Sequence, residues 1–286
     1  MTRGRRFAAQ PGAVVGAILV MILLGIAVIG PHALSHDPIA RDIDHGLSAM
    51  GAPLGPSGDA VLGTDQLGRD VWARVVSGAG TSLTIASLAT LLALALGLSI
   101  GLAAGYAGGW VDSTLMRIVD LVLSFPALLI AILLAALLRE AEIASSTAPV
   151  ILTLGAISWT TIARVIRGKA MTIARSDHVL AARAIGATPL RIVVRHILPN
   201  IANAVVVVGI LAFAQILLAE AALSYVGLGP PPPAASWGRM LYEGRPYYRT
   251  APHLVLAPGI AILAAVIAFN LLGEGLRTIL DPKGRR

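Results

Sequence analysis

Long apolar runs constrain this chain more than any other feature of its sequence. Crossing the hydrocarbon core of a bilayer as a helix takes about 20 predominantly apolar residues. Six runs of that kind lie at residues 13–30, 83–104, 115–138, 148–166, 201–222 and 254–273. They are rich in Leu, Ala, Val and Ile, without the alternation of a membrane β-barrel. The sequence therefore predicts an all-α fold, a polytopic membrane bundle of six transmembrane helices.

Composition supports a membrane protein and narrows the chemistry. The 286 residues are 56% hydrophobic and 13% charged, with a mean hydropathy of +0.81, well outside the range of soluble domains. The first run follows Arg3, Arg5 and Arg6, so a cleaved signal is an alternative to an anchor; its length favours the anchor. The absence of cysteine excludes disulfides, thiolate metal sites and cysteine nucleophiles.

The distribution of basic residues predicts the orientation. Six spans place both termini on one side, and 15 of the 22 Lys and Arg residues fall in segments on that side. Because cytoplasmic loops carry the excess of positive charge, we expect both termini in the cytoplasm. Residues 1–12 then form a cytoplasmic tail, and 31–82 form an external segment. This topology accounts for the net charge of +7 better than nucleic-acid binding does.

The longest predicted cytoplasmic segment, residues 167–200, contains the start and stop signals of two short helices. Gly186 ends the first helix, and Thr188 caps a second that has Pro189 in its first turn. The three-residue spacing of Val179, Ala182 and Ile185 is expected to place them on one shallow face. By physical chemistry alone, that face suits a partner's groove and the lipid surface equally well.

A resemblance decides between these alternatives. The stretch LAARAIGATPLRIVVRHILPN resembles the cytoplasmic signature of ABC importer permeases, in which a coupling helix docks on an ATPase. The matching positions are Ala181, Ala182, Gly186, Leu198 and Pro199; with Val179, Arg183 and Ile185, they form the predicted ATPase-coupling set. Leu180 stands where these permeases usually have an acidic residue, so a polar contact there is not expected.

Four further stretches resemble the C-type permeases of the dipeptide, oligopeptide and nickel branch. They are VLGTDQLGRDVWARVVSGAGTSL at 61–83, GYAGGWVDSTLMRIVDLVLSFPALLIAI at 105–132, LSYVGLGPPPPAASWGRMLYEGRPYY at 223–248 and PGIAILAAVIAFNLLGEGLRTILDP at 258–282. The resemblance covers most of the chain after residue 60. It implies a permease core of five transmembrane helices at 83–282, with 167–200 as its coupling segment.

The resemblance also implies a function. The chain would be a subunit of an ATP-driven importer in a bacterial inner membrane, forming the path for di- or oligopeptides that an external binding protein delivers. Its partners would be a second homologous permease and two ATPase subunits, which bind ATP and Mg. The chain has no phosphate-binding loop of its own, so an enzyme is not expected. An ion-coupled secondary transporter is the alternative, and a non-transporting scaffold is a third class.

Three features within the membrane carry structural predictions. Gly97, Gly101 and Gly105 repeat every four residues, which predicts a flat stripe for close approach of another helix. Pro126, after Phe125, is expected to kink the third span because its ring removes a backbone hydrogen bond. Asp120 lies three residues after Arg117, a spacing that favours a pair within one helix.

Two residues were assigned to the solute path as candidates. Glu220 is the one clearly intramembrane acid, and it suits either a structural bond to a neighbouring helix or a substrate contact. Trp237 lies in the outer loop after the fifth span. His32, His36 and His45 lie near several aspartates, but no spacing is typical of a metal site, so none is expected.

Overall fold

The computed structural model describes residues 10–140 and 147–280. The predicted basic residues of the N-terminal tail, and the last six residues, lie outside this part of the chain. The described part contains helices and turns but no strand, apart from two isolated bridges in the external segment, Leu47 with Pro53 and Thr64 with Asp70. The predicted all-α fold is confirmed.

Ten α-helices follow one another along the described chain. They are α1 (Pro11–Ile29), α2 (Val71–Ala107), α3 (Gly109–Leu123), α4 (Ala127–Glu140), α5 (Ala148–Ala174), α6 (Asp177–Ala184), α7 (Pro189–Ile192), α8 (Leu198–Leu223), α9 (Trp237–Gly244) and α10 (His253–Leu280). Two π-helical turns, Val193–Ile197 and Ser224–Leu228, flank α8.

The number of candidate spans depends on one bend. Five helical stretches of the described chain are long and apolar enough to cross a membrane. The pair α3 and α4 passes the same test together, but it is bent by 88° at the break between them. That break contains Pro126, so the predicted kink is confirmed. The predicted six spans are obtained when the bent pair counts as one.

The second span begins earlier than its apolar run indicates. Asp70 caps α2 by accepting hydrogen bonds from the backbone N–H groups of Trp72 (2.8 Å) and Ala73 (3.3 Å). The helix therefore starts at Val71 rather than at 83. The first turns of α2 therefore lie in the predicted external segment, 31–82. The helix starts this early because Asp70 caps it, although those turns are less apolar than the rest of the span.

The glycine stripe of α2 packs directly on α5. Gly97, Gly101 and Gly105 are buried, and each faces the backbone or a β-carbon of α5. A methyl group added at Gly101 would lie 2.7 Å from the carbonyl oxygen of Ala163 and 2.8 Å from Cβ of Ile166. The two helix backbones thus approach as closely as the absence of side chains allows.

The segment predicted to be cytoplasmic, 167–200, folds largely as two helical pieces after the end of α5. Helix α6 ends at Ala184, and Gly186 follows with a φ of +81°, a left-handed conformation that favours glycine. Thr188 caps α7 by accepting from the Arg191 N–H at 3.4 Å. Pro199 lies in the first turn of α8, and the helical stretch that contains α8 extends from Pro189 to Leu228 with a kink at Gly227, where φ is +91°. The π turn Val193–Ile197 immediately precedes α8, whose second residue, Pro199, has no backbone N–H to donate.

Gly101→Ala is expected to destabilise the bundle by about 1–3 kcal/mol, since the added methyl group forces α2 and α5 apart. Thermal unfolding of the purified protein in detergent would measure the loss. Gly25→Ala in α1 is the matched control, because its methyl group would meet nothing within 4 Å. Equal melting temperatures for the two variants would contradict the close packing of α2 on α5.

Candidate functional site

One side of α6 holds the elbow, which we define as residues 176–198 of the segment predicted to be cytoplasmic, to the bundle. Val179 is fully buried and Ala182 is 6% exposed. Val179 belongs to the same buried cluster as Ile192 and Ile197, which lie on the far side of the elbow's turn. The guanidinium carbon of Arg183 lies 5.3 Å from the ring centroid of Tyr106, near the end of α2. The elbow is therefore fixed to both α2 and the start of the fifth span.

The other side of the elbow presents an apolar surface with no partner in the described chain. Four residues form this surface, which we call the elbow surface: Leu180 (48% exposed), Ile185 (87%), Leu190 (74%) and Val194 (54%). Large exposed apolar side chains at one place mark an interaction site or a membrane contact. Leu180, which stands where the resembling permeases usually have an acidic residue, belongs to this surface and adds an apolar group to it.

The expected common face of Val179, Ala182 and Ile185 is corrected by this arrangement. Helix α6 ends at Ala184, and Ile185 is the residue after it, so the three-residue spacing no longer keeps Ile185 on the α6 face. Val179 and Ala182 pack inward, whereas Ala181, Arg183, Ile185 and Gly186 are exposed. Leu198 is half-buried and Pro199 is exposed at the start of α8.

Two ion pairs join α3 to α5. The Arg167 guanidinium donates to both carboxylate oxygens of Asp112, with 2.6 Å between Nη2 and Oδ2. Asp120 pairs with Arg164 of α5, so the predicted pairing of Asp120 with Arg117 in the same helix is wrong. Because these pairs lie on α5 just before the elbow, they fix the bent third span to the helix that leads into it.

A buried charge network lies at the opposite end of the bundle. Glu243 of α9 accepts from three guanidinium groups: Arg74 (2.8 Å), Arg69 (3.0 Å) and Arg239 (2.9 Å). Asp65 pairs with Arg69 at 2.7 Å and with Arg74 at 3.4 Å. The Arg69 and Arg74 side chains are 7% and 2% exposed. The network attaches α9 to the external segment and to the first turn of α2.

The electrostatics of Glu243 follow from these partners. Burial alone would raise the pKa of its carboxyl group, but the positive charges of Arg74, Arg69 and Arg239 outweigh the burial and lower the pKa below its ordinary value. The carboxylate is therefore held in its charged form.

The two candidate pathway residues are enclosed within the chain. Glu220 is fully buried and accepts from the hydroxyl groups of Ser224 (2.7 Å), Ser236 (3.2 Å) and Ser82 (3.4 Å). Trp237 is 1% exposed, and its ring N–H donates to the Val75 carbonyl at 2.9 Å. In this conformation neither side chain reaches a solute; both join α9 to α2 and α8.

The histidines of the external segment have separate partners. His36 pairs with Asp70 at 2.7 Å and His45 with Asp42 at 3.2 Å. Across residues 10–140 and 147–280, no three His, Cys, Asp or Glu side chains come together as a metal would require.

Sequence reasoning missed the charge network at Glu243. Its members lie within two of the stretches that carry the resemblance, 61–83 and 223–248, and the presence of both signs of charge in these stretches was a usable signal. Asp65, Arg69 and Arg74 are spaced four and five apart beside an apolar span, where unpaired charges are costly.

The fold and the elbow together define a class of protein: a multi-pass helical membrane protein with an exposed apolar surface at one end. The family described as the binding-protein-dependent transport system inner membrane component matches residues 97–286. The N-terminal transmembrane domain of oligopeptide transport permease C matches residues 4–50. The chain belongs to this family of ABC importer permeases and is a multi-pass protein of the bacterial inner membrane.

Relatives along nearly the whole chain support this assignment. A protein of Brucella suis biovar 1 named as a peptide transport system permease is 38% identical over 94% of this chain and 87% of its own length. The glutathione transport system permease protein of Shigella flexneri serotype 5b is 38% identical over 98% of this chain and 89% of its own length.

A solved structure has the same fold. The inward-facing MetNI methionine ABC transporter matches with a TM-score of 0.61 and 20% identity, over 74% of this chain and 98% of that chain. In this family ATP hydrolysis belongs to separate subunits and solute is delivered by a binding protein. The alternative of an ion-coupled transporter without ATPase partners is therefore not retained.

Glu243→Gln is expected to destabilise the outer end of the bundle by about 3–5 kcal/mol, because it leaves buried arginines without a counter-charge. Thermal unfolding in detergent would measure this, with Glu274→Gln as the control, since Glu274 is exposed on α10. A melting temperature unchanged by Glu243→Gln would contradict the network.

The same pair of proteins tests the direction of the Glu243 pKa. A carboxyl group whose pKa is lowered by folding stabilises the fold fully above its unfolded pKa and loses that contribution as the pH falls through its folded pKa. The stability difference between the native protein and Glu243→Gln should therefore be constant above the ordinary value of 4.5 and shrink below it. A difference that grows on acidification would contradict the assigned direction.

Proposed function

We propose that this permease forms the translocation path for di- or oligopeptides in an ATP-driven importer. The observation that carries the proposal is the elbow surface. It is an exposed apolar patch on a helical segment whose opposite side packs on the bundle through Val179 and Ala182. The relatives support the substrate class, because one is named for peptide transport and another for glutathione, which is itself a tripeptide.

The proposed assembly contains a second homologous permease, two ATP-binding subunits and an external solute-binding protein. ATP and Mg are bound by the ATPase subunits, and no cofactor is assigned to this chain. Two exposed apolar faces are available for a second permease. The outer side of α4 exposes Leu129 (62%), Leu133 (62%) and Leu137 (54%), and α10 exposes Leu256 (58%) and Ile260 (63%). These faces suit contact with lipid or with another helical subunit.

The coupling mechanism follows from the contacts that the elbow makes with α2 and with the fifth span. An ATPase that holds Ile185 and Leu190 pulls on α6, whose inward side is packed through Val179. Arg183 carries the pull to Tyr106 on α2, and the turn at Gly186 carries it into the fifth span. The ATPase must bind one state of the bundle better than the other, since equal affinity shifts no equilibrium.

Within the predicted coupling set, this mechanism gives some residues a docking role and others an anchoring role. Ala181, Arg183, Ile185 and Gly186 lie on or beside the docking side, together with Leu180 and Leu190, which the set did not include. Val179 and Ala182 hold the elbow in place, and Leu198 with Pro199 form the start of α8. A contact made by the exposed group transmits force through the buried group.

Ile185→Asp and Leu190→Asp are each expected to lower ATP-driven peptide uptake into proteoliposomes about tenfold or more. Burying one large apolar side chain is worth about 1.5–3 kcal/mol, and a charge in its place removes that contribution. ATPase subunits should also co-purify less well with each variant. Val61→Asp is the control, because Val61 is similarly exposed (65%) but lies in the external segment. Full uptake by both elbow variants would contradict the docking.

The orientation of the elbow is testable because the chain contains no cysteine. A single cysteine at Arg175, in the exposed turn before α6, should react with a membrane-impermeant maleimide in inside-out vesicles and not in intact cells. A cysteine at Asp59, exposed in the external segment, should react in the opposite way. Labelling of the Arg175 position from outside alone would place the elbow on the wrong side for an ATPase.

A further inference from the structure

Arginine and tyrosine side chains gather at the outer end of the bundle, where α4, the π turn Ser224–Leu228 and α9 meet. We call this group the outer arginine cluster; it consists of Arg139, Arg239, Arg245, Tyr225 and Tyr242. It is separate from the buried network, which it touches through Arg239 alone.

The rings of the two tyrosines stack against the arginine side chains of the cluster. The guanidinium carbon of Arg245 lies 5.8 Å from the ring centroid of Tyr225 and 5.6 Å from that of Tyr242. Arg239 approaches the same Tyr242 ring at 5.4 Å. Stacking on aromatic faces holds a guanidinium group in position while leaving its N–H donors free for a ligand.

Arg139 is held beside them by backbone carbonyl groups. It donates to the carbonyl oxygen of Gly227 at 3.1 Å and to that of Gly229. Gly227 lies next to the Tyr242 ring, since a β-carbon added at Gly227 would be 3.4 Å from Cε2 of that ring. Three guanidinium groups from three segments are thereby brought around one tyrosine.

The charge of this cluster is not balanced within the described chain. Glu243 is the carboxylate that pairs with Arg239, and it is already shared with Arg69 and Arg74. In residues 10–140 and 147–280, neither Arg139 nor Arg245 has a carboxylate within ion-pair distance. Positive charge gathered at one place on a protein surface attracts anions and raises their local concentration.

We propose that the outer arginine cluster binds the carboxylate group of a peptide as it enters the path. The planar guanidinium fork matches a carboxylate in two parallel hydrogen bonds, and the tyrosine rings offer apolar contact to the adjoining residue. Arg245 and Tyr225 are exposed and accessible, whereas Arg139 and Arg239 are half-buried. The acidic surface of a solute-binding protein is the alternative occupant of the cluster. A small ligand reaches the half-buried Arg139 and Arg239 more readily than such a surface does. This inference rests on the proposed function.

The test compares trialanine with trialanine amide, which differs only in lacking the carboxylate. Binding to the purified transporter complex, without binding protein, is measured by saturation-transfer NMR. We expect the native complex to bind the acid about tenfold more tightly than the amide. Arg245→Gln should abolish that preference, and Arg245→Lys, which keeps the charge but not the fork, should retain part of it.

Arg249→Gln is the matched control. Arg249 stacks on Tyr248 at 5.6 Å, a neighbouring exposed pair outside the cluster, so its loss should leave the preference for the acid unchanged. Equal binding of acid and amide by the native complex, or an unchanged preference in Arg245→Gln, would overturn the proposal. So would a variant that keeps the preference but no longer captures the solute-binding protein, since the cluster would then be a protein-docking site.

The two proposals fail separately. ATP-driven uptake of trialanine by the native complex in proteoliposomes reports the importer function, whatever the cluster does. Uptake with no preference for the acid removes the carboxylate site and leaves the importer intact. Absence of uptake, with ATPase partners bound, removes the peptide-importer proposal itself.

Discussion

Close contact between the backbones of α2 and α5 is the interaction on which the rest of the structure depends. It is possible because Gly97, Gly101 and Gly105 present no side chains, so Ile162, Ile166 and Ala170 lie against the α2 backbone itself. Both helices then continue to the elbow: α5 leads into α6, and α2 ends next to Tyr106, on which Arg183 stacks. The elbow surface is thus positioned by the same helix pair that forms the centre of the bundle.

The outer end is organised by polar groups instead. Glu220, the serine hydroxyls around it and the Trp237 ring N–H join α9 to α2 and α8. The Glu243 network adds charged contacts between α9 and the first turn of α2. Buried carboxylates need hydrogen-bond partners, and here each carboxylate combines a partner four residues away with partners from segments distant in sequence. The short helix α9 is consequently part of the bundle rather than a loose outer loop.

Local chemistry was enough to predict several elements from the sequence. Hydropathy located the spans, Pro126 located the bend, and Gly186 with Thr188 located the turn in the elbow. Tertiary contacts decided what local chemistry could not. Burial of Val179 and Ala182, but not Ile185, depends on where α6 ends and what it packs on. Two of the three arginine partners of Glu243, Arg69 and Arg74, lie about 170 residues away from it. Asp120 pairs with Arg164 of another helix instead of with its neighbour Arg117. No spacing along one helix indicates these pairings.

The length of the helical stretch Pro189–Leu228 has a consequence for the two surfaces described above. Its 40 residues extend about 60 Å at 1.5 Å per residue, longer than the roughly 45 Å thickness of a bilayer with its headgroups. The π turn Val193–Ile197 lies at the elbow, and a kink at Gly227, where φ is +91°, lies near the other end, beside the outer arginine cluster. The elbow and the outer arginine cluster are therefore joined through one helical element long enough to cross the membrane.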